Sequence, residues 1–234
     1  VQSNFRNLTA VMEGLSIESI DGILMDLGVS SFQLDNAERG FSYRFDAPLD
    51  MRMSKEGIGA GDIVNTYSVE EITRILREYG EEKFAYSIAL HIEKARKVKP
   101  IETTFELSDI IKASMPAAAK RDKNPSKRSF QALRIAVNGE LDSLSEGMDQ
   151  AFEYLKPKGR MVILTFHSLE DRMVKQRFQT WCKGCVCPPD FPVCICGKQP
   201  RAKLVNRKPL TASPEELERN KRSQSAKLRA LMKL

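Results

Sequence analysis

The chain has 234 residues, 41% of them hydrophobic and 29% charged, with a formal net charge of +6. A chain this long and this apolar can bury a full core without staples, which excludes a disordered polymer, and its length suits one or two domains. No apolar run approaches the ~20 residues of a membrane helix, and the start, Val1-Gln-Ser-Asn-Phe5, lacks the basic-then-apolar order of a signal peptide.

Residues 6–18 carry Leu8, Val11, Met12 and Leu15 at helical spacing and predict an amphipathic helix. Ile20-Asp-Gly-Ile-Leu-Met25 predicts a short buried strand, followed at once by Asp26-Leu-Gly28-Val-Ser-Ser31. An inner strand of a parallel sheet delivers residues in this way to the rim where open α/β sheets bind ligands, although an ordinary turn after a strand reads the same. Residues 36–60 are irregular. The run Gly57-Ile-Gly59-Ala-Gly61 has the composition of a phosphate loop, but no strand precedes it, so no such loop is assigned. Residues 68–98 predict helix with a break at Gly80, and Thr104 opens another that Pro116 ends after Met115. Lys120 to Arg128 reads as a charged loop. The stretch from 36 to 130 thus holds no convincing strand and reads as a helical insertion in an α/β domain.

The α/β pattern then resumes. Leu141, Leu144, Met148, Phe152 and Leu155 form a helix stripe. Lys156-Pro-Lys-Gly159 predicts a turn, Arg160 to Phe166 a strand, and Leu169 to Trp181 a helix for which Ser168 is the expected N-cap. Lys203 to Arg207 suits a strand, and Ala226 to Leu234 a strand or a helix. The predicted class is α/β with a doubly wound sheet.

From Lys198 to Leu234 there are eleven Lys or Arg and three Glu, a net of +8, which leaves −2 for the rest of the chain. A basic tail on a near-neutral body suits a polyanion such as nucleic acid; a solvated basic surface is the plainer reading. All five cysteines lie in the pattern Cys182-x2-Cys185-x-Cys187-x6-Cys194-x-Cys196. The odd count and the clustering point to a reduced, cytoplasmic setting. Cys185, Cys187, Cys194 and Cys196 could hold a tetrahedral zinc, but C-x-C pairs are less diagnostic than C-x2-C pairs, so a reduced thiol loop is the default and no metal is assigned.

No G-x-S-x-G elbow and no P-loop occur, so triad hydrolysis and P-loop nucleotide hydrolysis lack their parts. His167 borders the predicted rim, where a packing or hydrogen-bonding role outweighs catalysis.

Several long words are more specific. They are Asp21-Gly-Ile-Leu-Met-Asp26-Leu-Gly-Val-Ser-Ser-Phe-Gln33, Glu38-Arg-Gly-Phe41-Ser-Tyr-Arg-Phe-Asp46, Asp50-Met-Arg-Met53, Arg128-Ser-Phe-Gln-Ala-Leu-Arg-Ile135 with Asn138-Gly-Glu-Leu141, Phe166-His-Ser-Leu-Glu-Asp-Arg172, and Ser225-Ala-Lys-Leu-Arg229. In order and across the whole chain, these closely resemble the ribosomal small-subunit methyltransferase H family, also called MraW.

The resemblance implies an S-adenosyl-L-methionine-dependent enzyme that methylates N4 of a cytosine in the decoding region of 16S rRNA, with the small ribosomal subunit as partner and no membrane. It implies a class I, Rossmann-like methyltransferase domain, here residues 1–35 with 131–234, and an inserted all-helical substrate-recognition domain, here 36–130. The family's cofactor contacts fall on Phe5, Asp26 and Gln33. Its glycine-rich cofactor loop would lie upstream of Val1, so the chain is expected to be truncated at its N-terminus by about two βα units, on the order of 60–80 residues. Phe32, Asn124 and Gln224 stand where the family has Pro, His and Arg.

Cytosine N4 is a poor nucleophile because its lone pair is delocalised into the ring, so catalysis rests on positioning and an acceptor for the N–H. Asp26 is assigned that role with Ser30 and Ser31 orienting the base; holding cofactor alone is the other role open to Asp26. Phe41, Tyr43 and Phe45, interleaved with Arg39, Arg44 and Arg52, suit a base leaving its stack, although such Phe residues also build small lid cores. Lys127, Arg128, Arg222, Lys227 and Arg229 are the candidate phosphate contacts. A non-enzymatic RNA-binding module and an inactive fragment are the alternatives, and homodimerisation is left open.

Overall fold

The computed structural model describes every residue except 55, 118–123, 186, 188–192 and 194. Chain order gives α1 (Leu8–Gly14), β1 (Ile20–Asp26), α2 (Ser31–Asp35), α3 (Ala60–Thr66), α4 (Val69–Gly80), α5 (Ala85–Arg96), α6 (Thr104–Ala113), α7 (Lys127–Asn138) and α8 (Glu140–Tyr154). It continues with β2 (Leu155–Thr165), α9 (Ser168–Cys182), β3 (Ala202–Leu204), β4 (Leu210–Thr211), α10 (Pro214–Arg219) and β5 (Lys227–Lys233). The described chain divides into two compact units, Val1–Gly28 with Leu141–Leu234, and Val29–Glu140.

The first unit is built on a sheet of order β1-β2-β5-β3, with β4 also on β5. β1 and β2 run parallel and β5 is antiparallel to β2. The predicted turn at residues 156–159 is absorbed into β2. Ile20 pairs with Leu155 but Gly22 with Arg160, so β2 bulges where β1 runs straight, and Lys158 takes the left-handed φ of 70° that the bulge needs. The segment left open as strand or helix is strand β5, whose Lys227 to Lys233 pairs along β2, β3 and β4. Leu144, Met148 and Phe152 of α8 and Val174, Phe178 and Trp181 of α9 form one core with Met25, Met161, Ile163 and Leu231 of the sheet. Phe152 and Trp181 stack at 4.2 Å, and burying a ring of that size is worth roughly 1.5–3 kcal/mol.

The second unit is helical, with no strand among its described residues. Ile72, Leu76, Ile88, Ile92, Leu107, Ile111 and Leu133 form its core together with Phe41, Leu49 and Met51. The irregular segment over 36–59 satisfies its backbone through distant partners, as buried irregular chain must. Leu49 N donates to Glu102 O at 2.9 Å and Thr104 N to Ala47 O at 2.9 Å. Met53 N donates to Asn138 Oδ1 at 2.6 Å, and Asn138 Nδ2 donates to Met51 O at 2.8 Å. The glycine run is no phosphate loop: Gly59 is the N-cap of α3, and its N–H donates to Asp62 at 2.8 Å.

Candidate active site

Asp26 is the last residue of β1 and pairs with Leu164 of β2. The ladder runs one bond further, from Leu27 N to Leu164 O at 3.1 Å, and the chain then turns at Gly28 with φ of +87°. That φ favours glycine, since a Cβ there strains the backbone. Asp26 is exposed, and its carboxylate makes no hydrogen bond with the described residues. An ionised carboxylate at the carboxyl end of a parallel strand is a pure acceptor at the rim where α/β sheets bind ligands.

The neighbouring rim, after β2, is occupied by a helix start. The N-cap of α9 is His167 rather than Ser168, whose position is inside the first turn. His167 Nδ1 accepts from Glu170 N at 3.4 Å, while Glu170 accepts from Phe166 N at 2.8 Å and His167 N at 3.2 Å. A ring nitrogen that accepts takes the place of a hydroxyl here, and the imidazole is committed to capping. Asp171, one residue on, accepts from Arg229 Nε at 2.7 Å and from Lys227 Nζ at 3.2 Å. Burial pushes the Asp171 carboxyl up, but the hydrogen bonds from Arg229 and Lys227 outweigh it and hold the group below its ordinary value.

Phe5 lies on α8. A Cβ at Gly147 would stand 2.5 Å from Phe5 Cδ2, so the ring occupies the space glycine leaves. Arg6 anchors this turn by pairing with Glu146 at 2.7 Å, and Gln150 Nε2 donates to Arg6 O at 2.6 Å. Ser30 and Gln33 form a reciprocal capping box on α2: Ser30 N donates to Gln33 Oε1 at 2.9 Å and Gln33 N to Ser30 Oγ at 3.2 Å. Ser31 begins α2 and is exposed.

The predicted RNA contacts fall into two groups. Arg52 pairs with Asp50 through two bonds of 2.7 and 3.1 Å, and Arg39 donates to the carbonyls of Arg52 and Met53. The Arg52 hydrogen bond holds the Asp50 carboxyl below the usual carboxylate range. Phe41 is buried in the helical core, and Tyr43 meets Phe130 edge-on at 5.6 Å. The Arg229 side chain is only 11% exposed. These groups are spent on structure. Arg44, Lys127, Arg128 and Arg222 are exposed, as is Phe45, and Lys227 keeps 42% of its side chain in solvent. Lys127 and Arg128 open α7, whose first turn has no acidic residue and whose N-cap makes no side-chain bond.

The MraW methylase family profile matches residues 1–234, the whole chain. The chain belongs to the MraW methylase family. It is 55% identical over its full length to the ribosomal RNA small subunit methyltransferase H of Carboxydothermus hydrogenoformans, covering 76% of that protein. The proteins of the same name from Lachnospira eligens and Ruminiclostridium cellulolyticum are 53% and 52% identical over the full chain, which covers 75% of each.

As a member of the MraW family the chain has a Rossmann-like α/β methyltransferase fold. Among the described residues no helix is long and apolar enough to cross a membrane. Sequence reasoning missed Glu170 and Asp171, two buried acids on the first turn of α9. The signal was available: paired acids three and four residues after a capping residue such as His167 form a helix start, and a buried acid requires a cation elsewhere in the chain. Of the cysteines, Cys194 lies outside the described residues.

Proposed function

We propose that this chain belongs to an enzyme that transfers a methyl group from S-adenosyl-L-methionine to the exocyclic N4 of a cytosine in the decoding region of 16S rRNA, in the cytoplasm. Membership of the MraW family supports the methyl transfer, and the names of the relatives support the rRNA substrate. The observation that carries the site is the Asp26 carboxylate, exposed at the carboxyl end of β1.

The residues fit the cofactor's chemistry. Asp26 offers an anion to a ligand that carries a sulfonium and an ammonium. Phe5, held on α8 and 37% exposed, offers an aromatic face to adenine. Gln33 has its amide oxygen engaged by Ser30, which fixes the amide and leaves its NH2 as the donor. When bound, the cofactor supplies an electrophilic methyl carbon. Asp26 accepts a hydrogen bond from N4 and draws the nitrogen toward tetrahedral geometry, and Ser30 and Ser31 orient the base. The region 36–130 recognises the substrate. Arg39, Phe41, Tyr43 and Arg52 brace the segment that presents Arg44 and Phe45 to a splayed base, while Lys127, Arg128, Arg222 and Lys227 meet phosphates.

Labelled methyl transfer to small subunits by the complete gene product tests this reading, with nucleoside digestion to locate the label. The label is expected in N4-methylcytidine of 16S rRNA. At saturating cofactor, Asp26→Asn should lower turnover by about 10²–10³-fold. Label in another nucleoside, or full turnover in the variant, defeats it.

A further inference from the structure

Residues 183–201 join α9 to β3. The connection has no helix or strand among its described residues, and it exceeds the ~12–15 residues that compact domains ordinarily leave without an element of their own. Its base is pinned, with Arg201 N donating to Trp181 O at 2.8 Å. Among its described apolar residues, Val193 is 68% and Ile195 74% exposed. What converges is sulfur. The Sγ atoms of Cys185, Cys187 and Cys196 all lie within 4.8 Å of one another. Cys185 and Cys196 are 3.8 Å apart, and the Cys187 N–H points at Cys185 Sγ from 3.4 Å. A disulfide needs ~2.05 Å, whereas four thiolates at ~2.3 Å from a tetrahedral zinc stand about 3.8 Å from each other.

The fifth cysteine separates itself from the set. Cys182 packs beside the core of the first unit, where burial pushes its thiol up and keeps it protonated. Its removal turns an odd count into four thiols within one loop.

We propose that Cys185, Cys187 and Cys196 ligate a structural zinc ion that ties the α9–β3 connection. Each ligand enters as thiolate and releases its proton to solvent, so affinity rises with pH. Cys194 lies outside the described residues. Zinc held by three thiolates of one connection ties that connection together, so the metal's part is to hold the chain entering β3.

The complete gene product, purified under reducing conditions without chelator, should contain about one zinc per chain by elemental mass spectrometry, and Co²⁺ added to the stripped protein should give a thiolate charge-transfer band in the near ultraviolet. Cys185→Ser and Cys196→Ser should each lower zinc content by about tenfold, while Cys182→Ser retains it. The cobalt spectrum of the unmutated protein needs no variant to fold. Zinc below about one-tenth per chain with no cobalt band overturns the proposal, as does a Cys185–Cys196 disulfide in protein alkylated without reduction.

Discussion

Asp171 on α9 grips Arg229 on β5 through two bonds, Nε to Oδ1 at 2.7 Å and Nη2 to Oδ2 at 3.2 Å. The pair is largely withdrawn from water, with side-chain exposures of 13% and 11%. It joins the first turn of the helix after β2 to the strand beside β2, and so fixes how that helix leaves the sheet. Two of the words that mark the family, Phe166 to Arg172 and Ser225 to Arg229, are the two halves of this one contact.

Removing the charge leaves Arg229 buried without a counter-charge. Asp171→Asn is therefore expected to lower unfolding stability at neutral pH by on the order of 3 kcal/mol, read from the urea midpoint. The Asp171 carboxyl is held low, so its contribution is complete above the unfolded value of ~3.9 and fades as pH falls through the folded one. The gap between variant and parent should close on acidification. A gap that persists unchanged at acid pH shows that the charge is not its source.

Glu106 gives a second acid-sensitive point, in the helical unit. The hydrogen bond from Lys99, then that from Glu102 N–H, bring its carboxyl down to about 2. It also closes the capping box with Thr103 at the start of α6. Its stabilisation is present above the ordinary carboxylate value and disappears as pH falls toward about 2. Glu106→Gln should flatten the acid limb of the stability profile in that window. An unchanged limb assigns the acid sensitivity to other carboxylates.

Gly147→Ala is the test of how Phe5 is placed. The added methyl would meet Phe5 Cδ2 at 2.5 Å, so the ring must move or α8 must shift. Overpacking of this kind costs about 1–3 kcal/mol where the neighbours cannot yield. The Phe5 ring is 37% exposed and can swing toward solvent, so the expected outcome is a small loss of stability with a clear loss of S-adenosyl-L-methionine affinity in calorimetry. Unaltered affinity removes Phe5 from the cofactor site.

Lys127 and Arg128 crowd two cations at the positive end of the α7 dipole, whose first turn holds no acid. A phosphate there would relieve both. Replacing the pair by alanine should weaken rRNA binding and reduce the slope of log K against log salt by roughly 0.7–0.9 per lost contact. The same replacement is expected to leave stability unchanged or raise it slightly. An unaltered salt slope rules out phosphate contact by this pair.

Much of the local structure was legible. The helices of residues 68–98 and 104–115 and the strand from Ile20 follow from apolar spacing, because spacing records which face is buried. Helix α3 was not legible, because a glycine run hides a capping box closed by Asp62. The bulge at Lys156 to Gly159 has the composition of a turn; only pairing with β1 keeps it in the sheet.

By itself the sequence determined the family, through rare words spread over the whole chain, and it placed an acid at the end of a buried strand. It could not say which cations are available. Arg44 and Arg52 stand in one arginine- and aromatic-rich segment, yet Arg52 is held by Asp50 while Arg44 faces solvent; Lys127 and Arg229 are both predicted phosphate contacts, yet Arg229 is held by Asp171. Periodicity reports burial residue by residue, whereas ion pairing depends on distances between groups that the chain brings together only when folded. The tertiary structure alone decides those distances, and with them which charges hold the protein together and which face a ligand.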